Sequence, residues 1–232
     1  MLNDIKNDFK KLANSDKAKV LSGFFKTGNG EYGEGDLFLG ITVPEQRKLA
    51  QKYIDLSFPS LQVLLNNKIH EYRLTALLIL TYQYKKADKL EQKNIYNFYI
   101  KNTHNINNWD LVDVTTPHIV GAYLLNKDRK ILYKLAKSKN IWERRISILA
   151  TFWFIRHNEF GDTLAIAHIL HNDTHDLIHK AVGWMLREVG KRDLKAEEDF
   201  LKEHYQYMPR TMLRYAIEKF SENKRKKYEK NI

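Results

Sequence analysis

A tryptophan and a carboxylate stand four residues apart in the stretch NNWDLVD, residues 107 to 113. Residues with this spacing share one face of a helix, so Trp109 and Asp113 are expected to project together. An aromatic face attracts cations, and a carboxylate stabilises positive charge that develops in a transition state. The pair therefore predicts a site for cation chemistry. The alternatives are an ion pair with a nearby arginine for Asp113 and core packing for Trp109.

A second tryptophan lies beside cations further along the chain. Trp184 and Arg187, in GWMLRE, are three residues apart and share a helix face. Arg144 and Arg145, in WERR, are adjacent and point in different directions, and Arg145 is the one in phase with Trp109. Aromatic planes interleaved with cations suit nucleic acid, because bases stack and phosphates carry charge. Core packing is again the alternative for each tryptophan taken alone.

The charge of the whole chain points to the same class of partner. Its 232 residues include 39 Lys and Arg against 28 Asp and Glu, a net charge of +11. Such a balance predicts a polyanionic partner, nucleic acid first and a membrane surface second. A carboxylate such as Asp113 weakens binding next to phosphates. A carboxylate in a basic groove is explained if a group bound there gains positive charge during a reaction.

Composition limits the remaining possibilities. Hydrophobic residues make up 43% of the chain and aromatic residues 12%, which predicts a folded protein with a sizeable core. The chain contains no cysteine, which excludes disulfides, thiolate metal sites and cysteine nucleophiles. We find neither a run of signal-peptide type nor the roughly 20 apolar residues needed to span a bilayer. We therefore expect a soluble, cytoplasmic protein with no membrane contact, associated with the nucleoid when bound to DNA.

Two other motifs favour simple structural explanations. The stretch GNGEYG, residues 28 to 33, matches the dinucleotide-binding pattern in letters, but no strand precedes it and no helix follows. Three acidic residues nearby would also repel a pyrophosphate, and we predict a loop over residues 27 to 44. The second motif is a histidine cluster that a polar break divides, which favours exposed histidines over a metal site. Its members are His168, His171, His175 and His179.

The elements that position these residues are helices. Apolar residues recur at helical spacing from end to end, convincing strand alternation is absent, and Asn108 and Thr174 stand at expected N-caps. Comparable helices also begin at a recurring phase, with a period typical of two-helix repeats, roughly 35 to 45 residues. This period predicts a solenoid whose basic residues line one concave face, and the alternative is an irregular helical bundle. The residues at this phase are Arg73, Trp109, Arg145, Lys180 and Arg210.

Five stretches of the sequence resemble the AlkD family of DNA glycosylases, which are built from HEAT-like helical repeats. They are FLGITVPEQRKLA, NNWDLVD, WERRISIL, AVGWMLREVGK and MPRTMLRYAIEKF. These stretches are spread along the chain, so the resemblance extends over nearly all of it, from about residue 20 to 220. With this resemblance, we predict an all-α fold, a right-handed solenoid of HEAT-like helix pairs with a concave basic groove. We expect a single domain over residues 1–232, with a basic helix end or tail from about residue 220.

The resemblance implies removal of cationic N3- and N7-alkylated purines, such as 3-methyladenine and 7-methylguanine, from duplex DNA. It implies that Trp109 and Trp184 line the lesion, that Asp113 is the catalytic carboxylate and that Arg145 binds a phosphate. Members of the family hold the damaged nucleotide at the protein surface. They also carry a tyrosine near the N-terminus, where this chain has Phe24 or Phe25.

The remaining predictions concern DNA contacts and partners. We expect double-stranded DNA as the partner, a monomeric protein, and no metal or cofactor. The alternatives are a non-catalytic scaffold of the same fold that prefers distorted or branched DNA, and a protein-binding helical-repeat scaffold. Besides Arg145, the residues expected to contact DNA are Phe24, Phe25, Arg187, Lys180, Arg210 and Arg214.

Overall fold

Helices make up the regular structure of the computed structural model, which describes residues 1–229. Within that range, extended pairing is limited to a single bridge between Leu37 and Ile69. The all-α prediction is therefore confirmed. None of the helices in these residues is both long and apolar enough to cross a membrane. Contacts divide the chain into two compact units, Met1–Thr115 and Thr116–Ile232. The single-domain expectation, the handedness of the array and its basic groove stay predictions.

The first unit is organised around one long buried helix, α5, on which α3, α4, α6 and α7 pack. Every residue of α5 from His70 to Thr81 is buried, so this helix forms the centre of the unit's core. The middle of the helix, Leu74 to Leu80, is apolar on nearly every side, and such a segment is stable only when neighbours cover it. The helices in chain order are α1 Leu2–Leu12, α2 Ser15–Phe24, α3 Val43–Lys52, α4 Phe58–Leu65, α5 His70–Lys86, α6 Lys89–Lys101 and α7 Trp109–Asp113.

The segment between α2 and α3 corresponds to the predicted loop, but the predicted end is two residues too late because α3 begins at Val43. The end of the loop is fixed by α5. The Glu71 carboxylate accepts hydrogen bonds from the backbone amides of Leu39, Gly40 and Ile41, the shortest being 2.8 Å from Gly40. Gly40 has a φ of +79°, and a Cβ there would lie 2.1 Å from the backbone oxygen of Asn14. Only glycine fits this position. The end of the loop is therefore an ordered turn, and residues 39–41 are held against α5.

The second unit is built around α10 and α12, which contact each other and several shorter helices. Gly183 of α12 allows α14 to approach closely, because a Cβ there would lie 2.3 Å from the backbone oxygen of Met212. A π-helical turn, Pro117–Gly121, leads into the first helix of the unit. The helices are α8 Ala122–Leu124, α9 Lys130–Ala136, α10 Ile141–Arg156, α11 Gly161–Leu170, α12 Asp176–Gly190, α13 Leu194–His204, α14 Arg210–Ala216 and α15 Glu222–Glu229.

The predicted basic end of the chain corresponds to α15. Its lysines form ion pairs, with Lys224 Nζ 2.5 Å from Glu198 Oε1 and Lys226 Nζ 2.6 Å from Glu222 Oε1. The KRKK run is thus part of a helix whose charges are partly balanced. The last three residues of the predicted tail, 230–232, lie outside the described residues.

Candidate functional site

Helix α7 carries the tryptophan and the carboxylate at its two ends. It begins at Trp109 and ends at Asp113, and both side chains are half-buried, whereas the three residues between them are buried. The Asn108 side chain caps the helix by accepting a hydrogen bond from the Trp109 amide at 2.8 Å. The prediction of this N-cap is confirmed. Trp109 and Asp113 are thus the two residues of α7 whose side chains keep part of their surface exposed.

Two phenylalanines surround the Trp109 ring and differ sharply in exposure. The Phe25 ring stacks on it with centroids 5.3 Å apart, and the Phe24 ring meets it edge-on at 6.0 Å. Phe25 is 7% exposed and belongs to the core, whereas Phe24 is 61% exposed. Both residues therefore reach Trp109, but Phe24 is the one that presents a free aromatic surface next to it.

A buried histidine lies beneath these aromatic rings. The His70 ring stacks on Phe38 with centroids 4.7 Å apart and lies 4.8 Å from the Phe25 ring. Phe25 in turn separates His70 from Trp109. The wall of the candidate site is therefore a layered aromatic stack with an imidazole at its base.

His70 is held between two carboxylates. Its Nδ1 atom lies 3.2 Å from Asp36 Oδ2, and its Nε2 atom lies 2.8 Å from Asp110 Oδ2. Arg73 completes the cluster, with Nη2 2.7 Å from Asp36 Oδ1. All four residues are buried. Two carboxylates, one guanidinium and a protonated imidazole have a net charge of zero, which makes the cluster tolerable in the core.

The electrostatics of the cluster favour the charged forms of His70 and Asp36. Burial lowers the pKa of His70, but Coulombic attraction to Asp110 and hydrogen bonds to both carboxylates outweigh it and raise that pKa to about 9. Burial raises the pKa of Asp36, and the hydrogen bond with His70 and the nearby Arg73 outweigh it and hold that pKa below its usual value. His70 is therefore a cation at neutral pH.

The sequence predicted little of this cluster. Arg73 was expected to line a concave face with the other residues of its phase, but it is buried and paired with Asp36. Asp36 is one of the three acidic residues near GNGEYG that would repel a pyrophosphate, and the sequence indicated no role for His70 or Asp110. The available signals were the spacing of His70 and Arg73, three apart on one helix, and a polar residue at the start of an otherwise apolar helix.

In the second unit, Trp184 and Arg145 lie on the two central helices. Trp184 in α12 is half-buried, and its indole N–H donates to Glu188 Oε1 at 3.1 Å. Arg145 in α10 is only 5% exposed, and its guanidinium donates to the backbone carbonyl of Leu177 in α12. Arg145 therefore joins α10 to the start of α12, and its phosphate contact stays a prediction. The adjacent Arg144 is held by Asp173, with its Nε atom 2.6 Å from Oδ2.

The other predicted DNA contacts fall into two classes. Arg210 and Arg214 are exposed, one turn apart on α14. Lys180 and Arg187 on α12 are paired with carboxylates, Lys180 with Asp176 at 2.7 Å and Arg187 with Glu218. Phosphate binding by Lys180 or Arg187 thus competes with an existing ion pair.

The histidine cluster is divided between two elements, as the sequence predicted. His168 and His171 lie near the end of α11, where His168 Nδ1 is 2.8 Å from Nε2 of His204. Within residues 1–229, no group of three or more side chains is arranged to hold a metal ion. The N-cap of α12 is His175, whose ring accepts from the Leu177 amide, so the prediction of Thr174 as the cap is wrong by one residue.

A protein-family model matches most of this chain. Residues 5–220 match the model of the DNA alkylation repair enzyme family. Among curated proteins, no match is found. A solved structure described as a predicted DNA alkylation repair enzyme from Enterococcus faecalis is similar to this chain with a TM-score of 0.69 and 17% identity, covering 90% of this chain and 97% of that one.

A second solved structure shares the fold at greater structural distance. AlkD2 from Streptococcus mutans is similar with a TM-score of 0.55 and 18% identity, covering 95% of this chain and 97% of that one. At such identities the likeness concerns the fold, and it confirms the predicted kind of helical architecture. The match of the family model extends over most of the sequence, and the chain therefore belongs to the DNA alkylation repair enzyme family.

Proposed function

We propose that this protein is a monofunctional DNA glycosylase that hydrolyses the N-glycosidic bond of positively charged N3- and N7-alkylpurines in duplex DNA. Substrates of this class include 7-methylguanine and 3-methyladenine. The observation that carries the proposal is the position of Trp109 and Asp113, half-buried at the two ends of α7, with Phe24 exposed beside the indole. Membership of a DNA alkylation repair family supports the choice of substrate.

The chemistry needs an aromatic surface and a carboxylate. An alkylated purine carries positive charge, and each aromatic face that it meets is worth about 0.5–2 kcal/mol of cation–π attraction. When the bond between the sugar and the base breaks, its electron pair leaves with the base and neutralises that charge. The sugar becomes an oxocarbenium-like cation, which Asp113 stabilises while it orients the attacking water. The water oxygen bonds to the anomeric carbon of the sugar, and its proton passes to Asp113 and from there to solvent. Because the base leaves as a neutral molecule, neither a metal nor a general acid for the leaving group is required.

Residues of the second unit, taken by itself, are also proposed to contact DNA. We propose an aromatic contact by Trp184 and a phosphate contact by Arg145. Arg210 and Arg214 suit phosphates directly because both are exposed, whereas Lys180 and Arg187 bind them by exchanging carboxylate partners. We further propose that the protein acts as a monomer on the DNA of the cytoplasm, and that the damaged nucleotide stays at the protein surface.

A base-release assay tests the proposal. The protein is incubated with duplex DNA that contains 7-methylguanine, and the free base is measured against DNA without protein. We expect release well above the spontaneous rate, and we expect Asp113→Asn to lower it by about 100-fold or more. DNA affinity should be unchanged or higher, because a negative charge has been removed. The matched control is Asp55→Asn, an exposed carboxylate in the same unit, which should leave the rate unchanged.

Two outcomes would support the alternatives. Tight, lesion-independent DNA binding without base release would identify a non-catalytic scaffold. Affinity that does not fall with rising salt would argue against DNA as the partner, because phosphate contacts make log K fall linearly with log salt. A release rate unaffected by Asp113→Asn would show that this carboxylate is structural.

A further inference from the structure

Helix α7 is too short to hold its own position. It has five residues, and an isolated helix shorter than about 12 residues is marginal in water because nucleation is costly. Its place must therefore come from tertiary contacts. Leu111 and Val112 provide apolar ones, since both are fully buried. A buried polar contact is made by Asp110, which immediately follows Trp109 in the chain.

His70 is the group that holds Asp110. Its Nε2 atom lies 2.8 Å from the Asp110 carboxylate, and its Nδ1 atom lies 3.2 Å from Asp36 in the loop before α3. A neutral imidazole carries one N–H and donates to one acceptor, whereas the cation donates to two. Both neighbours are carboxylates and accept only. The arrangement is therefore complete only when the ring is protonated, and it then joins the loop, α5 and α7.

The same ring also supports Trp109 through the aromatic stack. Phe25 lies between the two, 4.8 Å from the His70 ring and 5.3 Å from the Trp109 ring by centroids. His70 thus reaches the candidate site by two routes, along the backbone through Asp110 and across the stack through Phe25. Neither route brings His70 itself to the ligand, because the residue is 2% exposed.

We propose that His70 is a positioning residue of the reaction, whose protonated ring holds α7 so that Trp109 and Asp113 face the damaged nucleotide. This inference rests on the glycosylase function proposed above. The charged groups around the ring are Asp36 from the loop, Asp110 from α7 and Arg73 on its own helix, while Glu71 is directed to the loop amides. A cavity of about 570 Å³ adjoins His70 and Asp110, and its rim includes Asp16 and Lys17 of α2.

Loss of the proton leaves a lone pair of the His70 ring facing a carboxylate. The contact with either Asp36 or Asp110 is then weakened. The single-turnover rate of base release should therefore fall as pH rises through about 9, the value to which the pKa of His70 is raised. Misplacement of catalytic groups by about 1 Å costs up to about 100-fold in rate. The affinity for DNA should change far less, because His70 does not contact it.

The experiment measures single-turnover base release from DNA containing 7-methylguanine, from about pH 6 to about pH 10, with protein-free DNA at each pH. In the wild type we expect an alkaline decline centred near pH 9. His70→Asn should be slower at neutral pH and should lack this decline. Asp36→Asn leaves Asp110 as the one carboxylate at the ring, so a neutral ring donates to Asp110 and accepts from the new amide. The alkaline decline should therefore disappear, whatever the rate of this variant at neutral pH. The matched control is His104→Asn, an exposed histidine of the same unit.

The outcomes separate the two proposals. No release by the wild type at any pH overturns the glycosylase function and this inference with it. Release without an alkaline decline, or a His70→Asn rate equal to that of the wild type, overturns the inference alone. Circular dichroism at each pH establishes that the proteins are folded. If His70→Asn does not fold, the wild-type profile and Asp36→Asn decide the question, and a decline that persists in Asp36→Asn contradicts the proposal.

Discussion

The Nε2 atom of His70 lies 2.8 Å from the Oδ2 atom of Asp110, and both side chains are buried. The contact joins the first residue of α5 to the first turn of α7. Because the ring also meets Asp36, its proton is bound more tightly in the folded protein than in the unfolded chain. The position of α7 is therefore linked to one proton, and stability should depend on pH in a defined direction.

We predict that this linkage lowers the stability of the protein at alkaline pH. The pKa of His70 is raised from 6.5 to about 9, so the contribution is fully present below pH 6.5 and is lost as pH rises through about 9. The total is at most on the order of 3 kcal/mol. Urea unfolding at several pH values measures it. His70→Asn should show a smaller loss over this interval, and an identical pH dependence in both proteins would contradict the prediction.

Glu197 is a buried group whose charged form is disfavoured, whereas the charged form of His70 is favoured. Burial, and next the negative charge of Glu198, raise the pKa of the Glu197 carboxyl to about 8. The folded state keeps a proton that the unfolded chain releases above about pH 4.5, so stability falls as pH rises between these values. Glu197→Gln mimics the neutral form and should stabilise the protein at pH 8 by about 1–3 kcal/mol.

The gain from Glu197→Gln should vanish near pH 4.5, where the wild-type carboxyl is protonated in the folded state at little cost. Thermal melting at both pH values measures the difference. Glu203→Gln, on the same helix but exposed, is the matched control and should show no gain at either pH. Equal melting temperatures for Glu197→Gln and the wild type at pH 8 would exclude a buried, protonated Glu197.

The two phenylalanines beside Trp109 should separate stability from function. Phe25 is buried in the aromatic stack, so Phe25→Ala should cost about 3–5 kcal/mol of unfolding free energy. Phe24 is mostly exposed, so Phe24→Ala should change stability by less than about 1 kcal/mol. If the proposed function holds, Phe24→Ala should still slow base release, because it removes an aromatic surface beside the lesion. Loss of stability in Phe24→Ala with normal release would reverse these assignments.

Local patterns predicted the elements and the pair at the ends of α7. Helical periodicity indicated the all-α class, and the polar side chain of Asn108 marked a helix start that the structure confirms. The spacing of Trp109 and Asp113 predicted a shared accessible face because four residues make about one helical turn. These features depend only on residues close together in sequence, so they can be predicted from one sequence alone.

The buried contacts of His70 with Asp36 and Asp110 could not be predicted from local sequence patterns. His70 meets partners 34 and 40 residues away in sequence, one of them in a loop without any periodicity. Phase along a helix gives the direction of a side chain but not what packs against it, and so it could not foresee that Arg73 and Arg145 are buried. The N-cap of α12 was predicted one residue too early, at Thr174. Asp173 accepts a hydrogen bond from the His175 amide, which extends the turn before the helix by one residue.

Glu71 and the loop amides that it binds have a further consequence. Three successive backbone N–H groups converge on one carboxylate, which makes the loop a receptor for an anion, comparable with the backbone nests that bind phosphate. The anion in this protein is the Glu71 carboxylate, which is part of α5. Its effective concentration at the loop is therefore high, and no free anion has to bind from solution. Ordering of the loop and docking of α5 are thus one binding event. Asp36 belongs to that loop, and it is brought to His70 by the same event.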